Sequence, residues 1–369
     1  MNEEHFAPLL VVMGVRPHYV KAAALMFALQ RKSGLAEHVQ LIDARQQYDP
    51  ELTDVVLDGV GVVPSVTIKH TSQNAHIRAG EIYAALCNRI DVIAHSVGRR
   101  PILVGFGDVT TTAMAAMAAS RMSIPFVHVE AGVRSRPGVG GESVENKIRR
   151  VVAQASTINF CTLLDHVENL QRERAPGRAV WVGDLAQPFL RSVASEDVRQ
   201  EDMVLCFIHK SDNVDPRSLA VLFRVLSACA YPVTFVLHPS AARELERDSA
   251  LFSMVSSNID LVRATNYSDF VSLMQRSRVI VTDSGDVQRE AHYLGRRCVV
   301  RRDTVGWSEL AAPGGHLRVG RSVAEIAKGI RELWDSPELR LQVEPGFVRP
   351  GGVDDAVREL VGLCRQVES

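Results

Sequence analysis

A chain of 369 residues, 46% hydrophobic and 23% charged, has the make-up of a soluble globular protein long enough for two domains. A formal net charge of −1 argues against a surface built for nucleic acid, and no apolar run approaches the ~18 residues that span a bilayer. Six scattered cysteines without a CxxC pair, and an N-terminus lacking the basic start of a signal peptide, point to a reducing cytoplasm.

Pro8 to Met13 is a continuous apolar run, the pattern of a buried parallel strand, and it ends in Gly14-Val15-Arg16-Pro17. Pro17 suits a first helical turn, and the helix that follows carries Ala22, Leu25, Met26 and Leu29 on one face. Further strands are predicted at Val39 to Ile42, Ile102 to Val104, Phe126 to Val129 and Thr157 to Phe160. They alternate with helices at Ala75 to Val97, Thr110 to Met122 and Glu145 to Ala155. A second rhythm starts near Val180, with strands at Val204 to Ile208, Val233 to Leu237, Ile259 to Val262, Val279 to Val281 and Cys298 to Val300. Its helices are Leu219 to Cys229, one from Asp269 and others from Val323 onward; a last helical pattern covers Val353 to Val367. This alternation predicts an α/β protein of two Rossmann-like domains facing each other across a cleft. The expected bounds are 1–180 and 181–350, with 351–369 a helix crossing back to the first domain.

Polar residues recur where predicted strands end: Arg16, Asp108, Glu130, His209, His238 and Ser284. Ligands of open α/β sheets bind outside those ends. The most informative stretch runs from Val279 to Leu294, where an apolar strand breaks into Asp283-Ser284-Gly285 and a helical pattern follows. Backbone N–H groups at such a helix start, backed by the helix dipole, make an anion site. Ser284 adds a hydroxyl, Gly285 allows a phosphate to approach the backbone, and Glu290 is placed to accept hydrogen bonds from a ribose. A capping serine and a surface glutamate fit the same pattern equally well. Arg16 and Lys21 suit an anion at the first helix start. Asp108, Glu130 and Glu145 are three acids in one half; carboxylates gathered in a cleft divide into acids and bases, although each also suits a helix start. Gly105-Phe106-Gly107 is not a dinucleotide fingerprint, because Thr110 takes the third glycine's place, and there is no Walker A string. His209 and His238 lack metal-ligand spacing, so neither a metal nor another cofactor is expected.

In order along nearly the whole chain, these segments resemble the bacterial UDP-N-acetylglucosamine 2-epimerase family. Gly14 to Lys21 resembles G-T-R-P-E-x-x-K, Gly107 to Thr112 resembles G-D-T-T-T, and His128 to Ser135 resembles H-V-E-A-G-L-R-(S/T). Glu145 and Arg149 fall on the first Glu and the Arg of P-E-E-x-N-R, and His209 with Asp212 on H-R-x-E-N. His238-Pro239 is similar to H-P-N, and Thr282 to Ala291 to T-D-S-G-G-x-Q-E-E-A.

The resemblance implies a fold of the glycosyltransferase-B type with UDP mainly on the second domain. Ser284 and Gly285 would hold the phosphates, Glu290 the ribose and Phe270 the uracil, with Arg16, Lys21, His209 and His238 around the UDP-sugar. Asp108, Glu130 and Glu145 would act as acids and bases at the sugar, joined by His209. The implied reaction needs no redox cofactor. UDP leaves across C1–C2 to give a 2-acetamidoglucal, then adds back after C2 is protonated on its other face, turning UDP-GlcNAc into UDP-ManNAc. A homodimer is implied by analogy alone.

The chain departs from the family at His18, at Arg45 before Gln46-Gln47, and at Val144 and Asn146 beside Glu145. It departs again at Lys210-Ser211, at Asp286 in place of the second glycine of D-S-G-G, and at Val305-Gly306-Trp307-Ser308-Glu309 where T-E-R-P-E is usual. Residues linked in the family to a second, activating UDP-sugar are among those lost. Three alternatives remain: a hydrolysing epimerase releasing ManNAc and UDP, a glycosyltransferase using a UDP-sugar, and a non-catalytic UDP-sugar sensor. Retention of all three acids weighs against the last two.

Overall fold

The computed structural model describes residues 6–32, 34–46, 50–135, 142–255, 257–263, 266–302, 307, 310, 315–320, 322–336 and 347–367. Two units divide the chain: Met1–Tyr48, Gly61–Phe189 and Pro345–Ser369 form the first, Asp49–Val60 and Leu190–Glu344 the second.

The chain begins with β1 (Leu9–Met13), α1 (Arg16–Lys32), β2 (Val39–Asp43), α2 (Pro50–Gly59), β3 (Val66–Thr67) and α3 (Ala75–Val97). It continues with β4 (Ile102–Phe106), α4 (Thr110–Met122), β5 (Phe126–Ala131), α5 (Val144–Ala155), β6 (Ile158–Cys161), α6 (Leu164–Arg172), β7 (Arg178–Trp181) and α7 (Ala186–Val193). Strands of the first unit form a sheet in the order β3-β2-β1-β4-β5-β6-β7, every pairing parallel. All five residues of β1 are buried, which is why that strand reads as an unbroken apolar run. Asn74 caps α3 by accepting from the His76 and Ile77 N–H groups, and Gly98, with φ 69°, ends it. One face of α3 buries Ile82, Leu86, Ile90 and Ile93; α4 buries the small side chains of Ala115, Ala116, Ala118 and Ala119 in the same core, with half-buried Met114 and Met122 beside them, so the two helices pack closely. Each fully buried aliphatic side chain contributes about 1.5–3 kcal/mol.

The second unit repeats the scheme. It contains β8 (Val204–Ile208), α8 (Ser211–Val214), α9 (Pro216–Ser227), β9 (Val233–Leu237), α10 (Pro239–Arg247), α11 (Ser249–Ser253) and β10 (Ile259–Arg263). After these come α12 (Tyr267–Arg276), β11 (Val279–Thr282), α13 (Gly285–Tyr293), β12 (Arg297–Arg301), β13 (Leu317–Val319) and α14 (Val323–Asp335). Its sheet runs β10-β9-β8-β11-β12-β13, again all parallel. Strands β8 and β11 pack their apolar faces against α9 and α14. The last helix, α15 (Gly352–Gln366), belongs to the first unit and packs on α1.

Two features depart from the sequence-based expectation. Val180 lies in β7, the edge strand of the first sheet, so the second alternation begins at β8. Helix α2 sits between two strands of the first sheet in sequence but packs on α12 of the second unit. Gly59 there lies against Asn266 and the Tyr267 backbone, with no room for a Cβ. A helix with no chemistry of its own leaves no motif to show which sheet it serves.

Candidate active site

In each sheet the strand order reverses at one place, between β1 and β4 in the first and between β8 and β11 in the second. Crevices at the carboxyl ends of strands flanking such a reversal are where doubly wound sheets bind ligands. Each unit brings its predicted polar residues to that edge.

In the first unit, Gly14 leaves β1 against Thr111 of α4, so closely that any side chain would collide with the threonine hydroxyl. Half-buried Arg16 then opens α1. One turn along, Lys21 is buried and ion-paired with Glu130. Glu130 has φ 66°, and the register of β5 against β6 shifts between Val129 and Ala131. It is thus the extra residue of a β-bulge, which turns its carboxylate out of the strand's alternation. A left-handed backbone on a residue other than glycine costs about 1–2 kcal/mol and persists where the surroundings enforce it. Gly132, with φ 79°, completes the turn against the His166 backbone.

Asp108 follows β4 and is ion-paired with Arg149 of α5. It does not cap α4 with its side chain, since the capping position is Val109 and makes no side-chain bond. Burial pushes the Asp108 carboxyl above the usual range; Arg149 pulls it back, Glu130 and Glu145 push further, Lys21 opposes them, and the net shift is upward. Asp108 therefore senses both of the other predicted acids, although Glu145 itself is exposed in the first turn of α5. Asn146, one of the departures from the family string, ties the site together. Its side chain accepts from the Ser135 N–H at 3.0 Å, donates to the Ser135 carbonyl at 2.7 Å, and accepts from Arg149 Nη1 at 3.0 Å. His128 is buried with Nε2 2.7 Å from the Gly107 carbonyl, and burial holds its pKa down at about 4. The neutral ring anchors the turn that presents Asp108.

At the end of β2, Arg45 stands where the family has glycine and takes the left-handed backbone a glycine would take, with φ 42°. Its side chain lies 3.4 Å from buried Asp43, which also accepts from the Tyr19 hydroxyl at 3.0 Å. Gln46 accepts from the Thr111 N–H at 2.7 Å, capping α4 from outside the helix. Asp184, after β7, lines a small cavity with Lys21, Glu130, Phe160 and Thr162 and is a fourth acid on this edge.

In the second unit, Ser284 caps α13, accepting from the Val287 N–H at 3.3 Å. The edge of the Trp307 indole lies about 3.3 Å from where a Cβ on Gly285 would stand, with Arg302 beside it. Of the 305–309 string only Trp307 is among the described residues, and of Arg45-Gln46-Gln47 the last lies outside them. The negative charge that Asp286 introduces is matched by an ion pair with Arg289, whose guanidinium stands 4.5 Å over the Trp307 ring. Glu290 is buried and accepts from the Tyr267 hydroxyl at 3.1 Å. Phe270 is buried edge-on to Phe207, ring centres 5.2 Å apart. His238 caps α10 through Nδ1, which accepts from the Ser240 N–H at 3.3 Å, and its ring lies 5.9 Å from that of His209. His209 Nδ1 lies 3.0 Å from Asp283.

Asp43, Asn146, Asp184, Tyr267 and Asp283 were not singled out as site residues from the sequence. Asp283 had a usable signal, a charged residue bordering a strand end already marked as a site; Tyr267 opens the helix after β10, whose end carried no such mark. Asp184 follows the edge strand β7, which the periodicity did not separate from what comes after. Among the described residues, no group of three or more His, Cys, Asp or Glu side chains is arranged to hold a metal ion, and no helix is long and apolar enough to cross a membrane.

Comparison with known proteins bears on this arrangement. The family model described as UDP-N-acetylglucosamine 2-epimerase matches residues 28–350. A UDP-2,3-diacetamido-2,3-dideoxy-D-glucuronate 2-epimerase of Pseudomonas aeruginosa is 27% identical over 337 residues, covering 88% of this chain and 91% of the relative. The crystal structure of UDP-GlcNAc 2-epimerase from Neisseria meningitidis bound to UDP-GlcNAc superposes with a TM-score of 0.81 at 23% identity, covering 96% of this chain and all of that one. A UDP-glucosyltransferase from Polygonum tinctorium shares the fold at a TM-score of 0.65 and 12% identity, covering 98% and 99% of the two chains. The fold is thus common to epimerases and glycosyltransferases.

Proposed function

Because the chain belongs to the UDP-N-acetylglucosamine 2-epimerase family, we propose that it inverts C2 of UDP-N-acetylglucosamine to give UDP-N-acetylmannosamine. The observation that carries this reading is the group of carboxylates at the edge of the first sheet. Glu130 and Glu145 both act electrostatically on Asp108, and Glu130 and Asp108 are held by Lys21 and Arg149. Inversion at a carbon that bears a hydrogen needs proton handling on two faces, hence at least two acid/base groups. A glycosyl transfer at C1 has no such requirement.

The capped start of α13 takes the diphosphate, and Glu290 takes the ribose. One carboxylate removes the C2 proton as the C1–O bond breaks; the C2–H electrons become the C1=C2 bond, and the C1–O pair leaves on UDP. A second group then protonates C2 from the opposite face, and a diphosphate oxygen re-forms the bond to C1. The C2 proton is barely acidic, so groups that stabilise the departing diphosphate are as important as the base.

The Pseudomonas aeruginosa relative favours a second reading, in which the substrate is UDP-2,3-diacetamido-2,3-dideoxy-D-glucuronate. The reaction at C2 is the same. Incubation of the purified protein with each UDP-sugar, followed by chromatography of the products, separates the readings. The first expects a UDP-ManNAc peak from UDP-GlcNAc. Conversion of the uronate with UDP-GlcNAc untouched moves the assignment to the second. Free ManNAc and UDP would mean that water captures the intermediate.

A further inference from the structure

Asp283 is fully buried in the second unit, and its carboxylate is surrounded by donors from one loop. Oδ1 accepts from the His209 N–H at 3.1 Å and lies 3.0 Å from His209 Nδ1. Oδ2 accepts from the Lys210 N–H at 3.0 Å and from Asn213 Nδ2 at 2.8 Å. The loop after β8 is thus fastened to the turn after β11, one residue before Ser284. A carboxylate this close to a ring nitrogen favours a proton on that nitrogen, because two lone pairs at 3 Å repel. The arrangement thus favours the tautomer with hydrogen on Nδ1, which leaves Nε2, on the opposite edge of the ring, to deal with a ligand. The ring is stacked on Phe207, centres 5.7 Å apart, with His238 beside it, and the side chain retains 29% exposure.

We propose that Asp283 is a positioning residue that fixes the His209 ring with Nδ1–H toward itself and Nε2 toward the diphosphate of the bound nucleotide sugar. This rests on the reading of the second unit as the UDP site. A bare Nε2 lone pair facing a diphosphate would repel it, so binding draws a solvent proton onto Nε2, and the resulting N–H donates to a diphosphate oxygen. Asp283 balances the charge that appears on the ring. No covalent bond to the nucleotide changes in this step.

The test is nitrogen NMR of the histidine-labelled protein, with the His209 signals assigned by their loss in His209→Gln. The wild type is expected to show a protonated Nδ1 and an unprotonated Nε2 at alkaline pH, and Nε2 is expected to move into the protonated range when UDP is added. Asp283→Asn is expected to reverse the tautomer. The least costly orientation of the amide keeps its oxygen on the Lys210 and Asn213 donors and turns its NH2 toward Nδ1. Turnover is then expected to fall about 100-fold or more, with the UDP dissociation constant changing by at most about tenfold. A wild-type His209 with its alkaline-form proton on Nε2 overturns the proposal, whether or not the variant folds. So does a folded Asp283→Asn protein that turns over at the wild-type rate. An Nδ1–H ring that ignores UDP supports the pairing and overturns the nucleotide assignment.

Discussion

The ammonium of Lys21 on α1 is ion-paired with the carboxylate of Glu130, which bulges from β5 with a left-handed backbone. Both side chains are nearly out of water, 9% and 12% exposed. Removing one partner of such a pair leaves the other's buried charge less compensated. Lys21→Met is expected to cost about 3 kcal/mol or more in urea unfolding. The double variant Lys21→Met/Glu130→Gln is expected to recover most of that stability, yet none of the turnover, because it restores neutrality without restoring an acid. Recovery of turnover in the double variant would remove Glu130 from the catalytic group.

Asp108 is held between opposing influences. Burial and the neighbouring carboxylates raise its pKa, whereas Arg149 lowers it. Arg149→Met removes the strongest influence that lowers it, so Asp108 keeps its proton to higher pH. The limb of the pH–rate profile set by Asp108 is expected to move to higher pH, whether the residue acts as base or as acid. A limb that stays in place, in a variant still folded by circular dichroism, would show that Asp108 does not govern it.

Much of the candidate site was legible in the sequence because its residues stand where apolar runs stop. Arg16, Asp108, His209, His238 and Ser284 follow strands and Glu130 bulges from the end of β5, and the structure sets each at a sheet's carboxyl edge. Their partners were harder to see. That Lys21 meets Glu130, or Arg149 meets Asp108, depends on which helix lies beside which strand, and helical periodicity is silent on that. The bulge at Glu130 was likewise hidden, since a register shift of one residue leaves no mark in composition. Asp286 looked like a bare negative charge beside an anion site; only the fold shows Arg289 and Trp307 answering it.

Asp283 also leaves a mark on acid stability. Burial disfavours its ionisation, but the donors from His209, Asn213 and Lys210 outweigh burial and hold its pKa at about 2. Its folded pKa lies below the unfolded value of ~3.9, so its contribution is full at neutral pH and disappears as pH falls through about 4 toward 2. That contribution is roughly 2 kcal/mol. Urea unfolding of the wild type and Asp283→Asn between pH 2 and pH 7 should show a stability gap that closes on acidification. A gap independent of pH would mean that the carboxylate is not the stabilised species.

Glu290 accepts from Tyr267 and stands on α13 beyond the turn that Ser284 caps. Loss of hydrogen bonds to a charged acceptor is worth about 1.5–3 kcal/mol, so Glu290→Ala is expected to weaken UDP binding roughly 10- to 100-fold by calorimetry. Uracil alone should bind both proteins equally. Unchanged UDP affinity would take the ribose away from Glu290.

The central claim, inversion at C2 through loss and return of a proton, is tested most directly by proton NMR of the protein with UDP-GlcNAc in D2O. The account predicts that a UDP-ManNAc signal grows while deuterium replaces hydrogen at C2 in the product. Demonstrable UDP-GlcNAc binding with no exchange at C2 and no new sugar signal would contradict it.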